Sequence, residues 1–198
     1  MARGRRGSKK PAQPKRIAYK LIDPKTDAGK PMYALLKELV YEHHSEVKDA
    51  RFALAWNRAW KPDTDGRVIL GKCKKASDLD RELAAFDFVI ILRKDFWEDP
   101  SVTDAQRAAL MDHELCHASV RCDKNSGEPM VDERNRLIYR IRKHDIEEFA
   151  DIVERHGTYK RDLELFAQAL RRGPQQGVLP VEVLGFPGKA GAEPATTH

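Results

Sequence analysis

The sequence predicts an α+β domain in which a few-stranded sheet packs on a helix. Short apolar runs such as 86–92 alternate along the chain with segments such as 146–153, where apolar residues recur every three or four positions. The chain has 198 residues, 41% of them hydrophobic, which suits one domain with a core. We expect this domain at 17–172, between a basic arm at 1–16 and a Pro/Gly/Ala-rich tail at 173–198.

The first predicted elements are a helix and two strands. Apolar periodicity over 31–46 predicts an amphipathic helix that ends near His43 and His44. Neighbouring helical residues point about 100° apart, so we expect these two histidines at a half-buried helix end and not on one shared metal ion. The segments 52–56 and 68–72 have the composition of strands, with turn-forming residues between them.

The middle of the chain contains the strongest predicted strand. Ser77 is placed to cap a short helix that runs to Ala85, and the segment 86–92, apolar except for Asp87, follows it. Because that run does not alternate with polar residues, we expect a strand buried on both faces. Further on, the sequence predicts a hairpin over 130–141 and a final helix over 160–172.

The clearest chemical signal is the sequence His113-Glu114-Leu115-Cys116-His117. In a helix, its two histidines stand one turn apart on one face, where they can hold one Zn²⁺. Glu114, between them, can then reach a water on the same metal. These residues are the minimal machinery for hydrolysing a peptide bond, with Glu114 as the general base.

The sequence around this motif predicts a buried helix. Thr103 and Gln106 have the spacing of a capping box, and no Gly or Pro occurs from Asp104 to about Val120. Most of the segment is apolar, which is typical of a helix buried on most sides. Imidazole and carboxylate groups in such a helix need a metal, a polar partner or a wet cleft, because burying them alone is costly.

A third protein ligand is expected, because a catalytic zinc usually has three protein ligands and one water. His144, Glu147 and Glu148 are the downstream candidates. Asp145 and Glu148 have the spacing of a capping pair, and the apolar stripe that begins at Ile146 turns Glu148 away from the core. His144 precedes that predicted helix and can turn toward a neighbour. The pattern therefore favours His144 and leaves the two glutamates as alternatives.

Other polar residues near the motif have two interpretations each. Cys116 is either a thiolate close to the metal or, by our preference, a small buried filler. Asp112 is either a hydrogen-bond partner behind a ligand or polar surface. Tyr159 and His156 are candidates to donate a hydrogen bond to an oxyanion.

The N-terminal arm is strongly basic. Residues 1–16 contain seven Lys and Arg and no acid; without them the 36 basic residues fall to 29, against 31 acidic ones. Such a segment cannot bury enough surface to fold, and it suits either non-specific contact with nucleic-acid phosphates or solubilisation.

The cysteine content and the lengths of the apolar runs indicate the cellular compartment of the protein. Three cysteines without repeated spacing indicate a reducing compartment and no disulfide framework. No apolar run has the length of a membrane span, and the basic N-terminus lacks the apolar region of a signal peptide. We therefore expect a cytoplasmic protein without a membrane partner.

The order of these elements resembles a known family. The motif helix, the hairpin and the segment His144-Asp145-Ile146-Glu147-Glu148-Phe149 are similar to the family of putative phage metallopeptidases, itself similar to SprT-like zincins. The resemblance covers roughly residues 30–160. It implies a zincin-like α+β domain, the ligands His113, His117 and His144, Glu114 as base, a protein substrate and a location in the host cytoplasm. Asp145 departs from the SprT-like pattern, in which a glycine follows the third histidine.

Two functions from different classes are consistent with the sequence. The first is a zinc-dependent peptidase, in which the strand 86–92 or its neighbour offers an edge to an extended peptide. The alternative is a nucleic-acid-associated binding protein with a structural zinc and little peptidase activity. The basic arm favours the alternative, and Glu114 argues against it because a structural site needs no base.

Overall fold

The computed structural model describes residues 18–64, 66, 68–147 and 150–173. Within these residues the chain forms six helices and six strands, which confirms the predicted α+β class. The helices are α1 (Gly29–His43), α2 (Asp78–Ala84), α3 (Lys94–Trp97), α4 (Asp104–Cys116), α5 (Ala150–His156) and α6 (Arg161–Arg172). The strands are β1 (Tyr19–Leu21), β2 (Phe52–Asn57), β3 (Gly71–Lys75), β4 (Phe88–Arg93), β5 (Ala118–Val120) and β6 (Tyr139–Ile141). The predicted arm and nearly all of the predicted tail lie outside the described residues.

The larger sheet has the strand order β1-β2-β4-β3. Strand β2 runs parallel to β4, with Phe52 opposite Phe88, whereas β1 and β3 are antiparallel to their neighbours. The prediction that 86–92 forms a strand buried on both faces is confirmed, since β4 is almost entirely buried. Because β4 is paired on both sides, it offers no edge. Its neighbour β3 is the outer strand of the described sheet.

Strand β3 begins later than predicted. The sequence predicts a strand over 68–72, but the paired residues are Gly71–Lys75, with Cys73 turned into the core. The apolar residues 68–70 precede the strand, and the carbonyl of Leu70 accepts the amide of Arg93. The apolar run therefore lines a cavity instead of pairing in the sheet.

Helix α4 packs its apolar side against the larger sheet. Thr103 and Gln106 form the predicted capping box, with both hydrogen bonds present. Met111 and Leu115 are fully buried and belong to the same core cluster as Leu54 and Ile90 of the sheet. Burial of each such side chain stabilises the fold by roughly 1.5–3 kcal/mol. This packing sets the rotation of α4, and with it the direction of the motif side chains.

The prediction that α4 continues to about Val120 is wrong. The helix ends at Cys116, with His117 as its C-cap, and the next three residues form β5. Strand β5 pairs antiparallel with β6, with Ala118 opposite Ile141 and Val120 opposite Tyr139. Buried apolar residues at both ends of β5 favour this pairing over another helical turn. The predicted hairpin is also present, since Val131 bridges Leu137.

The other predicted helices are found with small shifts. Helix α1 buries Leu36 and Val40, and α2 begins after Ser77, which forms a capping box with Asp80. Helix α6 agrees with the predicted span 160–172. Among the described residues, no helix is both long enough and apolar enough to cross a bilayer.

Candidate metal centre

Three histidine side chains converge at the C-terminal end of α4. The ring centroids of His113 and His117 are 5.2 Å apart, and His144 lies 5.1 and 4.5 Å from them. One nitrogen of each ring lies within 4.8 Å of the other two. The structure therefore brings together the three histidines that the sequence suggests as ligands, although His144 lies 27 positions after His117 in the chain.

The spacing of these nitrogens suits a shared ion. The Nε2 atoms of His113 and His144 are 3.2 Å apart. Two nitrogen ligands on a tetrahedral zinc, each about 2.0–2.1 Å from the metal, are separated by about 3.3 Å. The side chains hence already stand at nearly the separation that coordination requires.

A hydrogen bond to the main chain orients the ring of His117. The Nδ1 atom of His117 lies 2.7 Å from the carbonyl oxygen of Arg142, and the amide of Arg142 donates to the carbonyl of His117 at 2.8 Å. A carbonyl only accepts, so Nδ1 carries the proton and Nε2 keeps its lone pair. This is the arrangement by which proteins orient metal-binding histidines. The main-chain hydrogen bond of Arg142 extends the β5–β6 pairing by one residue and places His144 two residues later.

Electrostatics favour the form of His113 that binds metals. Burial lowers the pKa of His113, and the neighbouring His117 and His144 lower it further. Neutral imidazole is the form that ligates metal ions. The ring is thus biased toward ligation at neutral pH.

Glu114 is buried beside the histidines. Glu114 is 3% exposed, and this burial raises the pKa of its carboxyl group to about 7. The neighbouring His117 and a hydrogen bond from the backbone amide of Cys73 lower the pKa and so offset part of that rise. Within the described part of the chain, its Oε2 atom is buried and has no hydrogen-bond partner. A buried polar atom without a partner is costly, so this oxygen is suited to a ligand or water that the protein binds.

Gly71 makes room for this carboxyl group. A Cβ atom at Gly71 would lie 2.8 Å from both Cγ and Cδ of Glu114, a distance that real Cβ atoms essentially never show. The start of β3 can therefore approach α4 only because residue 71 has no side chain. Gly71 is not among the residues that the motif predicts, and its only signal in the sequence is its position between an apolar run and a strand.

Two cavities adjoin the motif. One, of about 460 Å³, contains His113 and Glu114 and is lined mainly by apolar residues; they include 68–71, Phe96, Ala109 and Leu110. The other, of about 430 Å³, contains the three histidines together with Cys116, Arg142 and Phe166. The motif thus has accessible space on both sides of α4.

The predicted helix start at Asp145 is wrong. Residues 144–147 are not helical, α5 begins at Ala150, and the Asp145 carboxylate accepts two hydrogen bonds from Nη2 of Arg142. The ion pair replaces the predicted cap. Glu147 is exposed, and Glu148 lies outside the described residues. The preference for His144 therefore depends on its place beside His113, since the capping argument fails.

Several secondary predictions are also corrected. Cys116 is exposed, so it is not a buried filler. His44 is buried, and its Nε2 lies 2.6 Å from Oδ1 of Asp112, which makes Asp112 a hydrogen-bond partner and not simply polar surface. His156 and Tyr159 are exposed and are not among the residues that line the histidine cavity. Their proposed role as oxyanion donors has no support in the described structure.

The chain belongs to the family described as Putative phage metallopeptidase, whose model matches residues 28–171. That span includes α1 through nearly all of α6, and hence every residue of the histidine cluster. Membership in a metallopeptidase family implies a metal ion and the hydrolysis of peptide bonds. Comparisons with curated proteins and with solved structures gave no match.

Proposed function

We propose that the chain is a zinc-dependent peptidase that binds the metal through His113, His117 and His144 and uses Glu114 as its general base. The observation that carries the proposal is the convergence of three imidazole nitrogens beside a buried carboxyl group with a free oxygen. A structural site would not need that carboxyl group, which burial alone makes unfavourable when ionised.

The donor set supports zinc as the metal. Three imidazoles, two of which stand at tetrahedral spacing, would leave a fourth position for water, which is the arrangement of catalytic zinc sites. When bound, zinc supplies a Lewis acid that polarises the scissile carbonyl and makes a water nucleophilic at neutral pH.

Glu114 moves the proton. Its carboxylate accepts a proton from the attacking water and donates it to the nitrogen of the leaving amine. A general base works best when its pKa is near the operating pH, and burial places the pKa of Glu114 at about 7 before any metal binds. The amide of Cys73 donates to the carboxyl group, and the buried Oε2 atom has no partner among the described residues, which leaves it free to take the proton.

The position of β3 at an edge of the sheet supports the proposal that the substrate is an extended segment of a protein. Among the described strands, β3 is paired only with β4, and the backbone groups at the start of its other edge, before the Cys73 amide that Glu114 accepts, would pair with a peptide backbone. That edge begins at Gly71, next to Glu114, and the apolar cavity formed by 68–71 would hold an apolar side chain of the substrate. A folded domain at 17–172 would carry all of these features, with the arm and the tail outside it and no membrane partner required.

Zinc removal and return tests the proposal. The full-length protein, purified and treated with a chelator, should lose hydrolysis of an unfolded protein such as casein and recover it with one equivalent of Zn²⁺. The His113→Ala, His117→Ala variant should bind one zinc fewer than wild type and should not recover. His43→Ala, a change at an exposed histidine outside the cluster, is the matched control. Full hydrolysis by the double variant would exclude this site.

A further inference from the structure

A second set of metal-binding side chains lies on the adjacent face of α4. Asp112 and Cys116 are four residues apart, the spacing of His113 and His117, and each precedes one of those histidines. One residue of helix corresponds to a rotation of about 100°, so the two pairs point to neighbouring faces. Helix α4 thus presents two donor pairs, each one turn apart.

His44 adds a third donor to the second pair. It is the C-cap of α1, with its amide bonded to the carbonyl of Val40 at 3.1 Å, and the residue is 6% exposed. One ligand atom from each of His44, Asp112 and Cys116 lies within 4.8 Å of the other two. The set combines a nitrogen, an oxygen and a sulfur donor, and it shares no residue with the three-histidine cluster.

We propose that His44, Asp112 and Cys116 form a second metal site, for a zinc-like divalent ion. Imidazole, carboxylate and thiolate together suit zinc better than magnesium or calcium, which prefer oxygen ligands alone. The inference goes beyond the proposed peptidase function and does not depend on it.

The geometry needs only small changes to admit the ion. Nitrogen and oxygen ligands of a tetrahedral zinc are about 3.3 Å apart, whereas Nε2 of His44 and Oδ1 of Asp112 are now 2.6 Å apart and hydrogen-bonded. The ion takes the place of the proton between His44 and Asp112; that proton and the thiol proton of Cys116 are both released to solvent. His44 is fixed by burial, while the partly exposed Asp112 and the exposed Cys116 let the ion enter.

Sulfur distinguishes the two sites in an experiment. The metal-free full-length protein is titrated with Co²⁺, and bound metal and near-ultraviolet absorption are recorded together. We expect two ions per chain and a thiolate-to-cobalt charge-transfer band, which three imidazoles cannot produce. Cys116→Ser should lose the band and one ion, whereas Cys122→Ser, a change at another exposed cysteine, should keep both. Asp112→Asn should weaken the second ion by more than about tenfold without altering side-chain size.

The variant that lacks the first site completes the test. His113→Ala, His117→Ala should bind one ion and keep the charge-transfer band. Loss of the band in this variant would mean that Cys116 ligates the histidine-bound ion, which would overturn the proposal. A wild-type protein that binds one ion, or a band that persists in Cys116→Ser, would overturn it equally. Because the readouts are metal content and absorption, failure here leaves the peptidase proposal standing.

Discussion

The two regions that contribute the histidine cluster differ in how they are held. Helix α4 has a complete capping box at one end and buries Met111 and Leu115 in the core. The segment 142–147 has no regular structure and is mostly exposed. It is held by one main-chain hydrogen bond from Arg142 to His117, by the hydrogen bond from the His117 ring to the Arg142 carbonyl, and by the ion pair of Arg142 with Asp145.

This difference separates local from long-range determinants of the site. His113 and His117 are aligned by helical periodicity, which their own neighbours determine. His144 reaches them only because β6 pairs with β5 and the pairing continues to Arg142. A change at Glu114 of α4 should therefore affect the chemical step, whereas changes to 142–147 should affect metal affinity through the third ligand.

The largest expected effect is on catalysis, at Glu114. Glu114→Gln should lower the rate of protein hydrolysis by about 10²–10⁴-fold, because the amide cannot accept the proton of the attacking water. The variant should keep its zinc, since Glu114 is not among the three ligands. Rates and zinc content measured on the same preparations check this, with Glu147→Gln as the exposed control. Near wild-type cleavage by Glu114→Gln would disprove the mechanism.

The next largest effect is expected on zinc affinity, at His144 in the segment 142–147. His144→Ala should reduce zinc affinity by more than the roughly 10–100-fold typical of losing an outer partner of a ligand. Glu147→Ala and Glu148→Ala should change it little. Titration against a competing chelator measures all three. A greater loss in either glutamate variant would show that the site takes a carboxylate as its third ligand.

The features that sequence predicts well are those set by adjacent residues. The caps of α2 and α4, the buried strand β4 and the one-turn spacing of the motif follow from short-range patterns. The sequence patterns do not predict where α4 ends, where β3 begins or what Asp145 binds. In the first two cases a tertiary contact decides: the β5–β6 pairing and the approach of Gly71 to Glu114. Asp145 instead forms a local ion pair with Arg142, three residues before it, which takes the place of the cap that the pattern predicts.

The burial of Glu114 predicts a pH-dependent effect on stability. In the metal-free protein its pKa is about 7, above the ordinary 4.5, so the folded state binds more protons than the unfolded state between these pH values. Stability should therefore fall as pH rises through this window, by about 3 kcal/mol for this group. Metal-free Glu114→Gln should be more stable than wild type at pH 8, and the difference should shrink toward pH 4. Urea unfolding at several pH values measures it, and a variant less stable at pH 8 would contradict it.

A smaller effect is expected at Gly71, where α4 and β3 meet. Gly71→Ala should destabilise the fold by about 1–3 kcal/mol and slow hydrolysis, because the added methyl group displaces Glu114. The same change made in Glu114→Ala should cost less, since the side chain that it meets is gone. Equal costs in the two backgrounds, measured by urea unfolding, would show that the strain lies elsewhere.

The smallest effect on the metal site is expected from the N-terminal arm. Its seven positive charges precede a slightly acidic remainder, and every residue of the histidine cluster lies more than ninety positions away in the sequence. Deleting 1–16 should leave zinc content and hydrolysis unchanged.

If the arm binds DNA, it does so by releasing counterions from phosphates without sequence preference, and the deletion should abolish that binding. The affinity of the full-length protein should then fall with salt, with a log–log slope of magnitude up to about 6. Fluorescence anisotropy with duplex DNA at several salt concentrations measures both constants. Equal DNA affinities of the full-length and truncated proteins would show that the arm serves solubility, and would remove the main support for a nucleic-acid-binding function. Loss of hydrolysis on deletion would show that the arm acts on the active site, which we place in the domain alone.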